Sequence, residues 1–269
     1  MATLLIFGMG YLGGTVAGRA RADGWTVLGT SRDPARGLVD PGDHEALAAA
    51  VEQADAVLVT SAPTAAGCPG HAALSPLLQG RPAAWIGYVS STGVYGDRDG
   101  GWVFEDSALN AASIPGARRV SAEKAWLTQG AHLFRLPAIY GPGRSTLDRL
   151  RDGTARRVKK PGQVFNRVHV RDATDGILAS VGRPRPGRAY NLTDDDPSSM
   201  EAVILAGAER LNLPPPPETD LNDPSVSEAM RGFYLDSKRV SNARAKAELG
   251  WRPRYPTWRE GLEALLAEG

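Results

Sequence analysis

Hydrophobic and polar positions follow two alternating rhythms along the first half of the chain. Short apolar runs, TLLIFG (3–8), WTVLGT (25–30), AVLVTSAP (56–63), AAWIGYVSS (83–91) and HLFRLPAIYG (132–141), have the length and β-branched content of buried strands. Between them lie segments with helical spacing, at 11–22, at 44–54 (HEALAAAVEQA) and around 121–129. Strands that are apolar throughout and separated by helices predict an α/β fold, a Rossmann-type doubly wound parallel sheet covered on both faces. One link breaks the rhythm. Only SRDPAR separates VLGT from the weak run GLVD, too short for a helical crossover, which predicts a turn there.

After Gly141 the pattern changes to basic, proline-broken segments, then a strand-like VFNRVHV (164–170), a helix RDATDGILASVG (171–182) and a strand AYNLT (189–193). The division this predicts is a nucleotide-binding domain over 1–142, with returning segments near 164–193, and a smaller lobe with a C-terminal helix over 143–269. LNLPPPPETDLNDPS (211–225) predicts an extended, exposed connector. Thr257 followed by Glu260 has capping-box spacing ahead of an amphipathic last helix, a structural signal only.

Composition narrows the classes. A chain of 269 residues accommodates one large α/β domain with an appended subdomain. A hydrophobic content of 42% and a net charge of +1 argue against disorder, and no basic stripe interleaved with aromatics points to nucleic acid. The single cysteine, Cys68, allows no internal disulfide, and no Cys/His cluster suggests zinc or another metal site. The N-terminus lacks signal-peptide character, and no apolar run approaches the roughly 20 residues of a membrane span. A cytoplasmic monomer or homodimer acting on a small molecule is the expectation.

The first chemical signal is IFGMGYLGG. Gly8, Gly10 and Gly13 form a G-x-G-x-x-G that follows a strand and opens a helix. The first glycine permits a tight turn, the second lets the backbone approach a pyrophosphate, the third allows close helix packing, and the helix N-terminus offers N–H groups to phosphate. At the end of the second strand, where an acid would hold an adenosine ribose, the chain reads GTSRD. Ser31 and Arg32 occupy that place, and a guanidinium suits a 2′-phosphate, which favours NADP(H) over NAD. The alternative is that Arg32 is solvated and Asp33 takes the acidic role. Ser61, Ala62 and Pro63 are expected at the carboxyl edge of the sheet beside the cofactor. Asp40 reads either as an adenine neighbour or as an ordinary turn residue before Pro41 and Gly42.

Several motifs in order carry a family likeness: GMGYLGG (8–14), SSTGVYGD (90–97), FRLPAIYGPGR (134–144), NRVHVRDA (166–173), AYNLTDDDP (189–197) and KRVSNARAKAELGWRPRYPTWREGL (238–262). Over nearly its whole length the chain resembles the extended and atypical short-chain dehydrogenases/reductases, the NAD(P)-dependent epimerase/dehydratase group. The resemblance implies that Ser91, with Thr92 second, holds a substrate carbonyl and that Lys124 binds the nicotinamide ribose. Val120 stands where the family has its proton-transferring tyrosine, so that half of the chemistry has no group to perform it. The candidate cofactor set is Gly8, Gly10, Tyr11, Leu12, Gly13, Ser31, Arg32, Ser61, Ala62, Pro63, Lys124 and Pro137. For substrate the candidates are Tyr95, Tyr140, Arg144, Asn166 and Arg167. Both tyrosines also read as packing aromatics, and His169 as a hydrogen-bonded structural histidine. The basic residues between Arg149 and Lys160 read either as anion-binding or as solvated surface. Two functions stay open: an oxidoreductase or epimerase-like enzyme with displaced acid/base machinery, acting on a small carbonyl or nucleotide-sugar-like compound, and a non-catalytic NADP(H) sensor or regulator.

Overall fold

The computed structural model describes residues 1–80, 83–224 and 226–268. Its strands are β1 (Thr3–Phe7), β2 (Thr26–Gly29), β3 (Ala56–Val59), β4 (Trp85–Ser91), β5 (Trp102–Val103), β6 (His132–Leu136), β7 (Ala138–Tyr140), β8 (Arg157–Val158), β9 (Arg167–His169), β10 (Ala189–Asn191), β11 (Glu218–Thr219) and β12 (Arg239–Val240). The helices are α1 (Tyr11–Ala22), α2 (His44–Gln53), α3 (Pro69–Gly80), α4 (Ile114–Leu127), α5 (Thr146–Arg151), α6 (Val170–Val181), α7 (Met200–Arg210), α8 (Glu228–Phe233), α9 (Ala243–Leu249) and α10 (Trp258–Glu268). None of the described helices is long and apolar enough to cross a membrane.

Six strands form one parallel sheet in the order β10-β6-β4-β3-β1-β2. Successive side chains of β1 point to opposite faces, as the pleat requires. Leu4 and Ile6 enter a core with α1, α6 and α9, while Leu5 and Phe7 enter a second core with α2, α3 and α4. Both faces are therefore buried, which is why the strands read as unbroken apolar runs. Chain order reverses direction between β1 and β3, and in such sheets ligands bind outside the carboxyl ends of the strands at that switch point.

The short link after β2 is a turn, as its length requires. A 3₁₀ turn (Pro34–Arg36) leads to a single parallel bridge between Thr30 and Val39, a residual strand beside β2. Several elements differ from expectation. The run 132–141 is two strands, because Pro137 offers no N–H and β7 leaves the main sheet to pair with β9. The strand expected over 164–170 keeps only Arg167–His169, because the His169 side chain accepts from the Arg171 N–H and starts α6. Helix α3 has no counterpart in the periodic reading, since Pro69, Gly70 and Pro76 interrupt its pattern. The proline-rich stretch is irregular up to β11, which pairs with β8; its residue 225 lies outside the described residues.

Candidate functional site

The glycine loop is fixed by backbone demands on both sides. Gly8 has φ +106°, its N–H donates to the Thr30 hydroxyl at 3.0 Å, and its carbonyl accepts from the Thr60 hydroxyl. A Cβ at Gly13 would lie 2.4 Å from the Gly8 carbonyl oxygen, so any larger residue would push α1 off the strand. At Gly10 the same construction meets nothing within 4 Å, and no side chain caps the helix. The first-turn N–H groups of Tyr11, Leu12 and Gly13 thus face an open edge, in the arrangement that suits a phosphate.

The end of β2 supplies the charge. The Ser31 hydroxyl accepts from the Asp33 N–H at 3.0 Å, and the Asp33 carboxylate accepts from the Ala35 N–H at 3.0 Å, capping the 3₁₀ turn. Asp33 is therefore occupied in local structure, whereas Arg32 is exposed and forms no ion pair among the described residues. Arg36, unremarked in the sequence, donates a guanidinium N–H to the Met9 carbonyl inside the glycine loop. Asp40 accepts from the Gly42 N–H at 2.9 Å, the geometry of its turn reading.

Two further hydroxyls stand at neighbouring strand ends. The oxygens of Ser61, after β3, and Ser90, in β4, are buried without a hydrogen-bond partner among the described residues. Ser91 accepts from the Gly93 N–H at 3.1 Å, which leaves its own O–H free to donate, and Thr92 is buried behind it. Ala62 is exposed and Pro63 half-buried beside them. Pro137 marks the exit from β6.

Helix α4 starts because the Ser113 hydroxyl accepts from the Gly116 N–H at 3.2 Å and Pro115 sits in the first turn. It begins earlier than the pattern around 121–129 suggested. Val120 packs half-buried against Val94, Tyr95, Val103 and Val240, and Lys124 is exposed without an ion pair among the described residues. One position before Val120, Arg119 donates to the Val89 carbonyl. Burial pushes the neighbouring Tyr88 hydroxyl well above the usual tyrosine range, against the pull of the Arg119 charge, so Tyr88 stays protonated.

Of the five substrate candidates, the structure brings only Arg144 to the glycine loop. Its guanidinium lies 5.5 Å over the Tyr11 ring, and the Tyr11 hydroxyl donates to the Pro142 carbonyl at 3.2 Å. The other four stand in the framework. Tyr95 is fully buried, donates to Asn191 Oδ1 at 2.8 Å and accepts from Arg135 at 2.9 Å, so neither side of its hydroxyl is free for a ligand. Tyr140 faces the last helix, where a Cβ on Gly261 would fall 1.9 Å from its hydroxyl. Asn166 donates to the Lys238 carbonyl and accepts from the Val240 N–H, both at 2.9 Å. Arg167 is buried and spends its donors on Ser198 Oγ at 2.9 Å and on the Ser198 and Ser199 carbonyls. Burial pushes His169 down to about 4, which keeps it neutral as the cap of α6. Within the basic segment, Arg157 and Lys159 pair with Glu218, and Arg157 also pairs with Glu201.

Comparisons place this geometry among known proteins. No family model matches the chain. A 3-diazoavenalumate denitrifying reductase from a Streptomyces species is 31% identical over 144 residues, 48% of this chain and 45% of that protein, so the chain matches about half of the reductase's length. Protein YeeZ of Escherichia coli is 27% identical and is covered over 97% of its length by 95% of this chain. A solved conserved protein of unknown function from Silicibacter pomeroyi is 40% identical with TM-score 0.90, over 100% of this chain and 99% of that one. A protein from Methylobacillus flagellatus assigned to the NAD-dependent epimerases/dehydratases is 26% identical with TM-score 0.76, over 99% and 98%. The dTDP-glucose 4,6-dehydratase of Bacillus anthracis, solved with NAD, shares the fold at 15% identity and TM-score 0.81. From the sheet order, the glycine-rich edge and these full-length likenesses, the chain has the Rossmann-like fold of the NAD-dependent epimerases/dehydratases it is similar to, with valine at position 120.

Proposed function

We propose that the protein is an NADP(H)-dependent oxidoreductase acting on a small electrophilic substrate. The observation that carries the cofactor is the end of β2, where Arg32 is unpaired and exposed while Asp33 is consumed by its own turn. A carboxylate aimed at the ribose would repel a 2′-phosphate, and here the free group at that place is a guanidinium. The residues fit the cofactor elsewhere too: the edge at Gly10 is open, the α1 N-terminus is uncapped, and the buried Ser61 oxygen has no partner among the described residues. NAD-bound neighbours such as the Bacillus anthracis dehydratase support a nicotinamide dinucleotide as the class.

When bound, the nicotinamide supplies or accepts a hydride. The chain's own groups then divide the remaining work. Gly10, Tyr11, Leu12 and Gly13 orient the pyrophosphate through main-chain N–H groups. Arg32 holds the 2′-phosphate, and Lys124 offers its ammonium to the nicotinamide ribose. Ser91 donates its free O–H to the substrate atom that becomes electron-rich, since its oxygen already accepts from Gly93. Arg144, over Tyr11, stands at the cleft rim beside the 141–144 turn.

Calorimetric titration with NADPH, NADH and their oxidised forms tests this reading. NADPH is expected to bind, and Arg32→Ala to weaken it by about tenfold or more, the worth of a charge-assisted contact, while leaving NADH within a few fold. Failure of every dinucleotide to bind would overturn the reading. The packing of Val120 in an apolar cluster favours a second one, an NADP(H) sensor without turnover. NADPH binding without oxidation across a panel of carbonyl and conjugated acceptors would support it.

A further inference from the structure

Valine at position 120 offers no hydroxyl to neutralise charge developing on a substrate, and the adjacent Arg119 brings a guanidinium to the end of β4 instead. The β3–β4 ladder ends with Val59 opposite Tyr88, whereas β4 keeps its β6 neighbour as far as Ser91. The two strands part just beyond Tyr88, and there the half-buried Arg119 guanidinium is anchored on the Val89 carbonyl, two residues before Ser91. Besides Val89 its side chain lies against the Tyr88 hydroxyl, and it forms no ion pair among the described residues. A guanidinium has five N–H donors, so part of the fork is unspent.

A second observation points to the same spot. Ser90 is 2% exposed and its hydroxyl oxygen has no partner among the described residues, and the Ser61 oxygen is likewise buried and unpartnered among them. Each stands two residues beyond the last paired position of the β3–β4 ladder, Val59 and Tyr88. Residues two apart on a strand share a face, so both follow Val59 and Tyr88 onto the side packed by α3 and α4. Two orphan hydroxyls and a partly unused guanidinium thus belong to the same end of the sheet, where the strands separate.

We propose that Arg119 is a catalytic residue that replaces the electrostatic half of the tyrosine's role, holding the anion formed on the substrate beside Ser91 without giving it a proton. The inference rests on the oxidoreductase reading. A reduced nicotinamide dinucleotide is the electron source: its hydride forms a C–H bond at the electrophilic carbon of a conjugated acceptor, the π electrons shift along the conjugated system onto its carbonyl oxygen, and the cofactor leaves oxidised. Arg119 and the Ser91 O–H hold that pair until water protonates it. Arginine remains charged at any working pH, so it stabilises charge and donates no proton. This selects the substrate class. An alkoxide is too basic to persist without a proton donor, whereas an enolate or phenolate is not, so the fitting acceptors are conjugated enones and quinone-like electrophiles rather than simple ketones.

4-Nitrophenol serves as the probe, because its phenolate mimics such a product and its visible absorption reports ionisation. It is titrated into the wild type, Arg119→Met and Arg119→Lys, each with and without NADP⁺, with thermal unfolding and NADPH affinity recorded for all three. The expected result is phenolate binding to the wild type, a shift of bound probe towards neutral phenol with about tenfold or more weaker binding in Arg119→Met, and partial recovery in Arg119→Lys. Equal phenolate binding by folded wild type and Arg119→Met, or none by the wild type, would overturn the proposal. Absence of dinucleotide binding is read separately by calorimetry and strikes the oxidoreductase reading instead. Should Arg119→Met fail to fold, Arg119→Lys against wild type decides, since a charge of different shape is expected to weaken the phenolate severalfold and a purely structural role would leave it unchanged.

Discussion

Two buried charged clusters lie on either side of the last long strands, and they are built on opposite principles. Around β6, the Glu123 carboxylate takes two hydrogen bonds from Arg135, at 3.0 and 2.8 Å. Arg135 also donates to the Tyr95 hydroxyl and the Glu105 carbonyl, and Glu105 in turn accepts from the Asn191 N–H. Burial alone would lower Arg135, but the Glu123 carboxylate raises it above its ordinary value, so Arg135 stays charged. Around β9 the arrangement is the reverse. Asp194 is 3% exposed, its carboxylate has only weak support from the Asp196 N–H among the described residues, and the nearby Tyr140 hydroxyl is unpartnered among them. The first cluster is a closed framework that locks α4 to the sheet. In the second, the missing partners make protonation, rather than pairing, the way to keep a buried carboxyl.

The largest effect expected of this difference is at Glu123. Glu123→Gln leaves the Arg135 guanidinium buried without its counter-charge, which costs about 3–5 kcal/mol when one partner of a buried pair is removed. Denaturant unfolding should show a large drop in midpoint at an unchanged slope. A loss under about 1 kcal/mol would mean that water reaches the pair and that the framework description is wrong.

Asp194 should behave in the opposite sense. Burial pushes its carboxyl up to about 8, against the pull of Arg167. In the unfolded chain it titrates near the ordinary aspartate value of 3.8. Between those values the folded state holds a proton that the unfolded state has released, so the contribution of this group to stability is fully present below the lower value and is lost as pH rises through the upper one. The slope approaches about 1.4 kcal/mol per pH unit inside that window. Asp194→Asn, neutral throughout, is expected to flatten the pH profile and to exceed the wild type in stability at pH 8 by a few kcal/mol. Unfolding curves from pH 4 to 8 check it: parallel profiles for the two proteins would show that Asp194 is satisfied in solution and would erase the contrast with Glu123.

Neither cluster was legible in the sequence, for a physical reason. The partners Glu123, Arg135, Tyr95 and Asn191 are joined by contacts spanning 12, 40 and 96 positions, and no periodicity encodes such distances. What could be read were features that a few consecutive residues determine: the strand–glycine–helix junction at 8–13, the turn after β2 and the apolar strands. Arg36 carries no local signal, and Arg119 reads only as one of four residues, with Arg118, Glu105 and Asp106, in segments that could line the cleft, because the role of each arginine depends on which carbonyl, Met9 or Val89, folding brings within reach. Tyr95 shows the converse. Its motif is local and recognisable, but its hydroxyl belongs to a partner nearly a hundred residues away.

The smallest prediction sharpens the contrast from the legible side. Thr257 and Glu260 form the capping pair that spacing alone suggested: the Thr257 N–H donates to Glu260 at 3.0 Å, and the Arg259 N–H donates to the Thr257 hydroxyl at 3.2 Å. Thr257→Ala removes one cap acceptor at an exposed helix start and should cost about 1 kcal/mol. The N–H groups it frees can turn to water, which Arg135 and its partners cannot do. If the exposed cap at Thr257 cost as much as breaking the buried pair at Glu123, burial would not be what separates the two kinds of contact. A midpoint shift of roughly a quarter of that seen for Glu123→Gln is the result that solvent access predicts.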